Sequence, residues 1–379
     1  MTRSRKRLWF EEGTGMLKLK RTWWFLSLAL LGLVLSACGR LPAVSYPGLT
    51  GEGDVAYMAN GQFVYAIDLN SGQEIWKYPQ KAEAGRMFYA PPALAGDMLV
   101  VADYNTQGVV VGLSLDGQEM WRLEAGGHFV AAPVVTENLI LAANADHSLY
   151  AITREGKLSW TFKTEGALWA SPAVDGERAY LPGMDHILYA IDLATGKQIW
   201  RYDLGAAALF EPTRDADGTL YITSLANEVM ALNGRDGTLK WKKQMDARLW
   251  TKAVLVDGRL YVGDMSGVAH ILSASDGMEQ ETIALAQDGS GVVGAPAVLE
   301  DGLVFALQKA DSIRGGQLVK LSFADSRKVV LFTMPEDGKF YNGPLAIGDV
   351  LMIGIVNGKT PVMATNPGGN LMWSFQPAK

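Results

Sequence analysis

The stretch Tyr65-Ala-Ile-Asp68-Leu-Asn-Ser-Gly72-Gln-Glu-Ile-Trp76 returns almost unchanged as Tyr189-Ala-Ile-Asp192-Leu-Ala-Thr-Gly196-Lys-Gln-Ile-Trp200. A short β-rich run, a polar turn ending in glycine and a second run ending in Trp read as two antiparallel strands joined by a tight hairpin. Its recurrence means that the chain is built by internal duplication. The Trp position, four residues after the turn glycine, falls at Trp76, Trp121, Trp160, Trp200 and Trp241, then at Glu281 and Val330, and again at Trp373, in steps of 39 to 49 residues. An upstream marker, usually proline before small and branched residues, falls at Pro47, Pro92, Pro133, Pro172, Pro212, Lys252, Pro296 and Pro344. Both markers count eight.

Each repeat reads as four short strands: a Pro-Ala-Val run as at Pro172, a Tyr-Val-Gly run as at Tyr261 to Gly263, the Tyr-Ala-Ile-Asp run, and the Trp strand. Alternating apolar residues and Asp-Gly corners, with no helical period, favour strand over helix. A period near 40 with four strands per unit predicts an all-β, eight-bladed β-propeller. One blade cannot cover both of its faces, so each Trp is expected to pack on the neighbouring blade and the ring to form one domain. Glycines such as Gly117, Gly156, Gly237 and Gly277 supply the positive φ that the hairpin needs. Repeats six and seven lack the Trp, and the seventh has Ser326 where glycine is expected, so that sector is predicted to be the most irregular.

The 379 residues are 49% apolar and 20% charged, which suits a large core and excludes disorder. The net charge of −6 is asymmetric. The first 37 residues hold seven basic residues against Glu11 and Glu12, which leaves the remainder more acidic still and unsuited to nucleic acid.

After Lys18 to Arg21, the apolar run Trp23 to Leu35 is too short to span a bilayer comfortably and ends in Leu35-Ser36-Ala37-Cys38. This quartet resembles the lipobox of bacterial lipoproteins, with Cys38, the only cysteine, as the lipid acceptor. The expected organisation is a signal peptide over 1–37, a lipidated linker over 38–46 and the propeller over 47–379. Met16 is an alternative start, and an uncleaved signal anchor is the competing reading of the segment. Acyl chains at Cys38 would hold the protein to a membrane, on the periplasmic side of an outer membrane or outside a cytoplasmic one. Without a second cysteine, no disulfide can form within the chain.

The phrases Tyr-Ala-Ile-Asp-Leu-x-x-Gly-x-x-x-Trp and Ser171-Pro-Ala-Val174 resemble the quinoprotein-type repeat of PQQ-dependent dehydrogenases and their cofactor-free relatives. With the lipobox and eight repeats, the chain is similar to the BamB-type outer-membrane assembly lipoproteins over essentially all of Pro47 to Phe375. That resemblance implies a non-catalytic propeller without cofactor, docked onto the POTRA domains of a barrel-forming subunit through loops that precede the Pro-x-Val strands. The corresponding residues here are Trp169, Phe210, Glu211, Arg248 and Trp250. Aromatic and Arg side chains are common interface anchors, although these aromatics would equally serve to plug an axial channel. The family's basic and acidic docking residues do not recur at matching spacing.

An enzymatic reading has less to stand on. PQQ-dependent dehydrogenases are longer and use a disulfide of adjacent cysteines, whereas Asp68 and Asp192 recur in register with the repeats, as hairpin residues do. His147 and His186 each follow an Asp in the same inter-strand turn of successive repeats, and His128 and His270 stand alone, so no metal site is expected. Gly289-Ser-Gly291-Val-Val-Gly294 matches a phosphate-loop string but reads as a loop before a strand, with no helix to receive an anion. A surface propeller holding a small ligand or a polysaccharide is the alternative function.

Overall fold

The computed structural model describes residues 46–105, 107–312, 314–335 and 337–377. Thirty-two strands form eight sheets, each of four strands consecutive in sequence and antiparallel. The blades span residues 48–78, 93–124, 134–163, 173–203, 213–244, 254–284, 291–333 and 345–375. The described residues contain no helix. The fourth strand of each blade is the exposed outer edge, while the second and third strands are almost wholly buried. The proposed signal peptide, Met16 and Cys38 lie outside the described residues.

A cross-strand rung recurs from blade to blade. In blade 4 it runs Ala173, Tyr180, Ala190, Trp200; in blade 1, Thr50, Tyr57, Ala66, Trp76; in blade 2, Ala93, Val100, Gly112, Trp121. The third-strand member is small wherever the fourth is Trp, because the indole lies across it: a Cβ on Gly112 would come 2.3 Å from the Trp121 ring. Where Trp is absent, the partner grows. Ile271 faces Glu281 and Val319 faces Val330.

Each indole then reaches the hairpin of the next blade. Trp76 Nε1 donates to the Leu115 carbonyl at 2.8 Å, Trp160 to Leu193 at 2.9 Å, Trp200 to Gly234 at 3.0 Å and Trp241 to Ala274 at 2.9 Å. Trp373 donates to Leu69 of blade 1 at 2.8 Å, so the contact that joins blades 1 to 2, 3 to 4, 4 to 5 and 5 to 6 also closes the ring. The turn glycine is required twice over: Gly72 has φ 71°, and a Cβ there would meet the Trp373 ring at 2.6 Å. Trp121 alone among these indoles has a buried Nε1 without a hydrogen bond. The apolar clusters lie between blades, as in the one shared by Ile67 and Leu69 of blade 1 with Met352 and Trp373 of blade 8.

The expected irregularity of the seventh blade is present. Its first strand, Gly291–Leu299, has nine residues where most blades have two or three, and its pairing with the second strand shifts between Val293 and Ala297. Elsewhere the fourth strand bulges just before the Trp position, as between Leu158 and Trp160, but here the bulge falls after it, between Val330 and Phe332. At the preceding junction the Trp–Gly contact is replaced by a polar one, Ser326 Oγ to Glu281 Oε2 at 2.8 Å. Three readings need correction, the first being Pro47: Thr50 pairs with Tyr57 as Ala173 pairs with Tyr180, which places Leu49 at the proline position of blade 1. Gly291–Gly294 are strand rather than loop. Lys252 is not the sixth proline equivalent: Val254 pairs with Tyr261 as Ala173 pairs with Tyr180, which places Ala253 there.

Candidate functional site on the loop face

Antiparallel order places the turn between second and third strands, and the connection entering from the previous blade, at the same end of each blade. The two segments are hydrogen bonded: Met184 N–H donates to Ala167 O at 2.9 Å, Leu225 N–H to Ala207 O and Met265 N–H to Arg248 O, both at 2.8 Å. The connections therefore form one face, on which all five sequence candidates lie.

Strand register aligns these connections residue by residue. Five positions before the rung residue of the first strand, a buried wedge recurs: Phe88, Phe129, Leu168, Ala208, Leu249 and Phe340. The next residue is the rim position, held by Tyr46, Tyr89, Val130, Trp169, Leu209, Trp250 and Tyr341 in blades 1 to 6 and 8. Burying the wedge forces its neighbour outward. Trp169 and Trp250 are 47% and 42% exposed, and Leu225, on the intervening blade 5, is 43% exposed. With half-buried Met184 and Met265 on the adjoining turns, they form an apolar crescent over blades 4 to 6, bordered by exposed Arg248.

The remaining candidates fall elsewhere in this register. Phe210 aligns with Ala170 and Thr251, both buried, and is itself half-buried rather than on the rim. Glu211 aligns with Lys252, and the two meet in an ion pair at 2.7 Å that ties blade 5 to blade 6. The structure thus brings Trp169, Trp250 and Arg248 to one exposed edge, and gives Phe210 and Glu211 structural surroundings. The sequence reading missed Leu225, Met184 and Met265, because an apolar residue at a turn tip carries no periodic signal. The paired wedge and rim residues were the available clue.

The rim is used differently on the opposite side of the ring. Tyr46 lies 4.8 Å from Tyr341 and 5.9 Å from Tyr89, Tyr89 lies 4.4 Å from Tyr104, and Tyr104 stacks on His128 at 4.5 Å. His128 is therefore part of an aromatic arc rather than isolated. Burial raises the pKa of Tyr46 and of Tyr89, with neighbouring tyrosines adding to each shift.

The other histidines also have defined surroundings. His147 and His186 both have φ 71° in the turn between second and third strands, and the preceding carboxylates are occupied by Tyr150 and Tyr189 hydroxyls at 2.5 and 2.7 Å. His270 is not alone: its Nε2 lies 3.0 Å from Asp264 and its Nδ1 2.7 Å from Glu279, which also meets Lys243 of blade 5. Burial opposes the charge on His270, but the two carboxylates prevail and its pKa is raised. Asp68 and Asp192 cap their hairpins by accepting from Ser71 and Thr195, the hairpin role foreseen for them. Among the described residues no group of three or more His, Cys, Asp or Glu side chains is arranged so that it could hold a metal ion.

The family model described as outer membrane protein assembly factor BamB matches residues 60–208 and 154–374. Curated relatives carry the same name: that of Legionella pneumophila (strain Paris) is 33% identical over 109 residues, 28% of this chain and 27% of the relative. That of Yersinia pestis is 30% identical over 117 residues, 30% of this chain and 28% of the relative. The matched stretch thus spans under a third of these relatives' length. The crystal structure of BamB from Moraxella catarrhalis superposes with a TM-score of 0.64 at 16% identity, covering 81% of this chain and 92% of that one. A computationally designed protein, Ika8, reaches 0.60 at 13% identity over 69% of this chain and 80% of its own, so the architecture by itself is not diagnostic. The repeat phrases and the family match over most of the eight blades agree, and the chain belongs to the family of the outer membrane protein assembly factor BamB.

Proposed function

We propose that this protein is a non-catalytic scaffold, anchored through lipid on Cys38, that assists assembly of β-barrel proteins into the outer membrane by docking a POTRA-bearing partner on the crescent of blades 4 to 6. The observation that carries the reading is the contrast at one register position. In blades 8, 1 and 2 the rim position holds tyrosines in ring contact with one another, half-buried at Tyr341 and Tyr89 and 36% exposed at Tyr46, whereas in blades 4 and 6 it holds a Trp, 47% and 42% exposed, beside an exposed Leu225. Exposed aromatics beside an exposed Arg are the composition of an interface core and its border. The names of the relatives add the assembly role, and the rigid ring needs no turnover to serve as a platform.

The test is recovery of partners from detergent-solubilised membranes with the mature protein, alongside a Trp169→Ala/Trp250→Ala variant shown by circular dichroism to be folded. A POTRA-bearing barrel subunit that the wild type retains and the variant loses is the expected result. Equal recovery by both would move the interface off the crescent. Recovery of no protein would turn the search to glycans and small ligands.

A further inference from the structure

The ring closes without exchanging a strand between its ends, since blades 1 and 8 are each built from four consecutive strands. Trp373 reaches Leu69 across the seam at the turn face, but the loop face needs a closure of its own. Three consecutive residues at the chain's entry into blade 1 supply it. Tyr46 is flanked by Tyr341 of the blade 8 connection and Tyr89 of the blade 2 connection. Pro47 is buried, and a Cβ on Gly354 of blade 8 would come 2.9 Å from its carbonyl oxygen. Gly48 is buried on the other side, where a Cβ would come 2.6 Å from Pro91 N. The first strand of blade 1 begins at Gly48 itself and pairs over five residues, more than the two or three usual elsewhere.

We propose that Tyr46–Gly48 is a latch that seals blades 8, 1 and 2 on the loop face, so that closure of the ring depends on the segment by which the chain enters it. The segment that sequence alone assigns to a linker therefore ends as part of the propeller. Backbone packed to glycine distance on both sides leaves no slack, and edge-to-face or tilted aromatic contacts fix the entry angle. Displacement of the preceding chain would load this seam first. Blade 5, the centre of the apolar crescent, lies diametrically across an eight-bladed ring and would be disturbed least.

The test is hydrogen exchange by mass spectrometry on the full chain, comparing wild type, Tyr46→Ala, Tyr46→Phe and Trp169→Ala, the last altering the same register position in blade 4. Tyr46→Ala is expected to speed exchange about tenfold in residues 48–60 and 345–365, with blades 4 to 6 unchanged. Tyr46→Phe should remain at the wild-type rate, as should Trp169→Ala throughout. Unchanged exchange at the seam in Tyr46→Ala, or acceleration spread evenly over all eight blades, would overturn the latch.

Discussion

At the residue scale, the repeated Trp does two things: it buries an indole between blades and donates a hydrogen bond to the next hairpin. Five of the six indoles do both, and Trp121 does only the first. Its hairpin in blade 3 is one residue shorter than that of blade 4, with glycine three residues after Thr153 but four after Asp192, although blade 2 has the same short turn and accepts from Trp76. The structure offers no account of why Trp121 misses. The physical consequence is clear, because a buried donor without a partner costs about 1–3 kcal/mol, whereas a satisfied one contributes about 1. Trp160→Phe should therefore destabilise by about 2–4 kcal/mol more than Trp121→Phe. Urea midpoints of the two variants check this, and equal losses would mean that the Nε1 bonds contribute nothing. The positions of all six Trp were legible in sequence, but the exception among them was not, since it depends on where a carbonyl of another blade points.

At the element scale, the junction between blades 6 and 7 shows what the Trp requires. Three substitutions occur together: Glu281 for Trp, Ser326 for the glycine beneath it, and Ile271 for the small residue across from it. Ser326 keeps the turn at φ 52°, a conformation that glycine adopts freely and serine does not, and its hydroxyl bonds Glu281 in place of an indole contact. Restoring Trp alone should fail, because both Ile271 and the Ser326 Cβ occupy its space. Glu281→Trp is expected to lose about 1–3 kcal/mol from overpacking. Adding Ile271→Ala and Ser326→Gly should recover that loss, with thermal unfolding of the single and triple variants as the measurement. A triple variant no more stable than the single one would show that the rung does not transfer between blades. Strand register also separates the interface candidates: Trp169 and Trp250 share one position, while Phe210 lies one residue on and Glu211 two. Reading from the proline marker alone could not separate them, because Lys252 stood one residue out of phase.

At the scale of the whole molecule, the ring is held by eight junctions of unequal chemistry. Those on either side of blade 7 lack an indole, and that blade also carries the extra register shift and the displaced bulge. Amides of its third and fourth strands, residues 317–333, should exchange faster than those of the equivalent strands of blade 3, residues 148–163. Equal protection would mean that the Glu281–Ser326 pair and the long first strand compensate in full. The sequence by itself determined the number of blades, the strands in each and the residues that bind one blade to the next, because these follow from a local phrase repeated in phase. It also marked blades 6 and 7 as the departure. What it could not decide is which face a side chain meets once the ring has closed. Trp169 and Tyr46 occupy the same place in their repeats and both keep exposed surface, 47% and 36%, yet Tyr46 lies between the rings of Tyr341 and Tyr89 whereas Trp169 borders the apolar crescent. That difference is set by neighbours a blade away, up to nearly the whole chain apart in sequence, and only the closed ring brings them into contact.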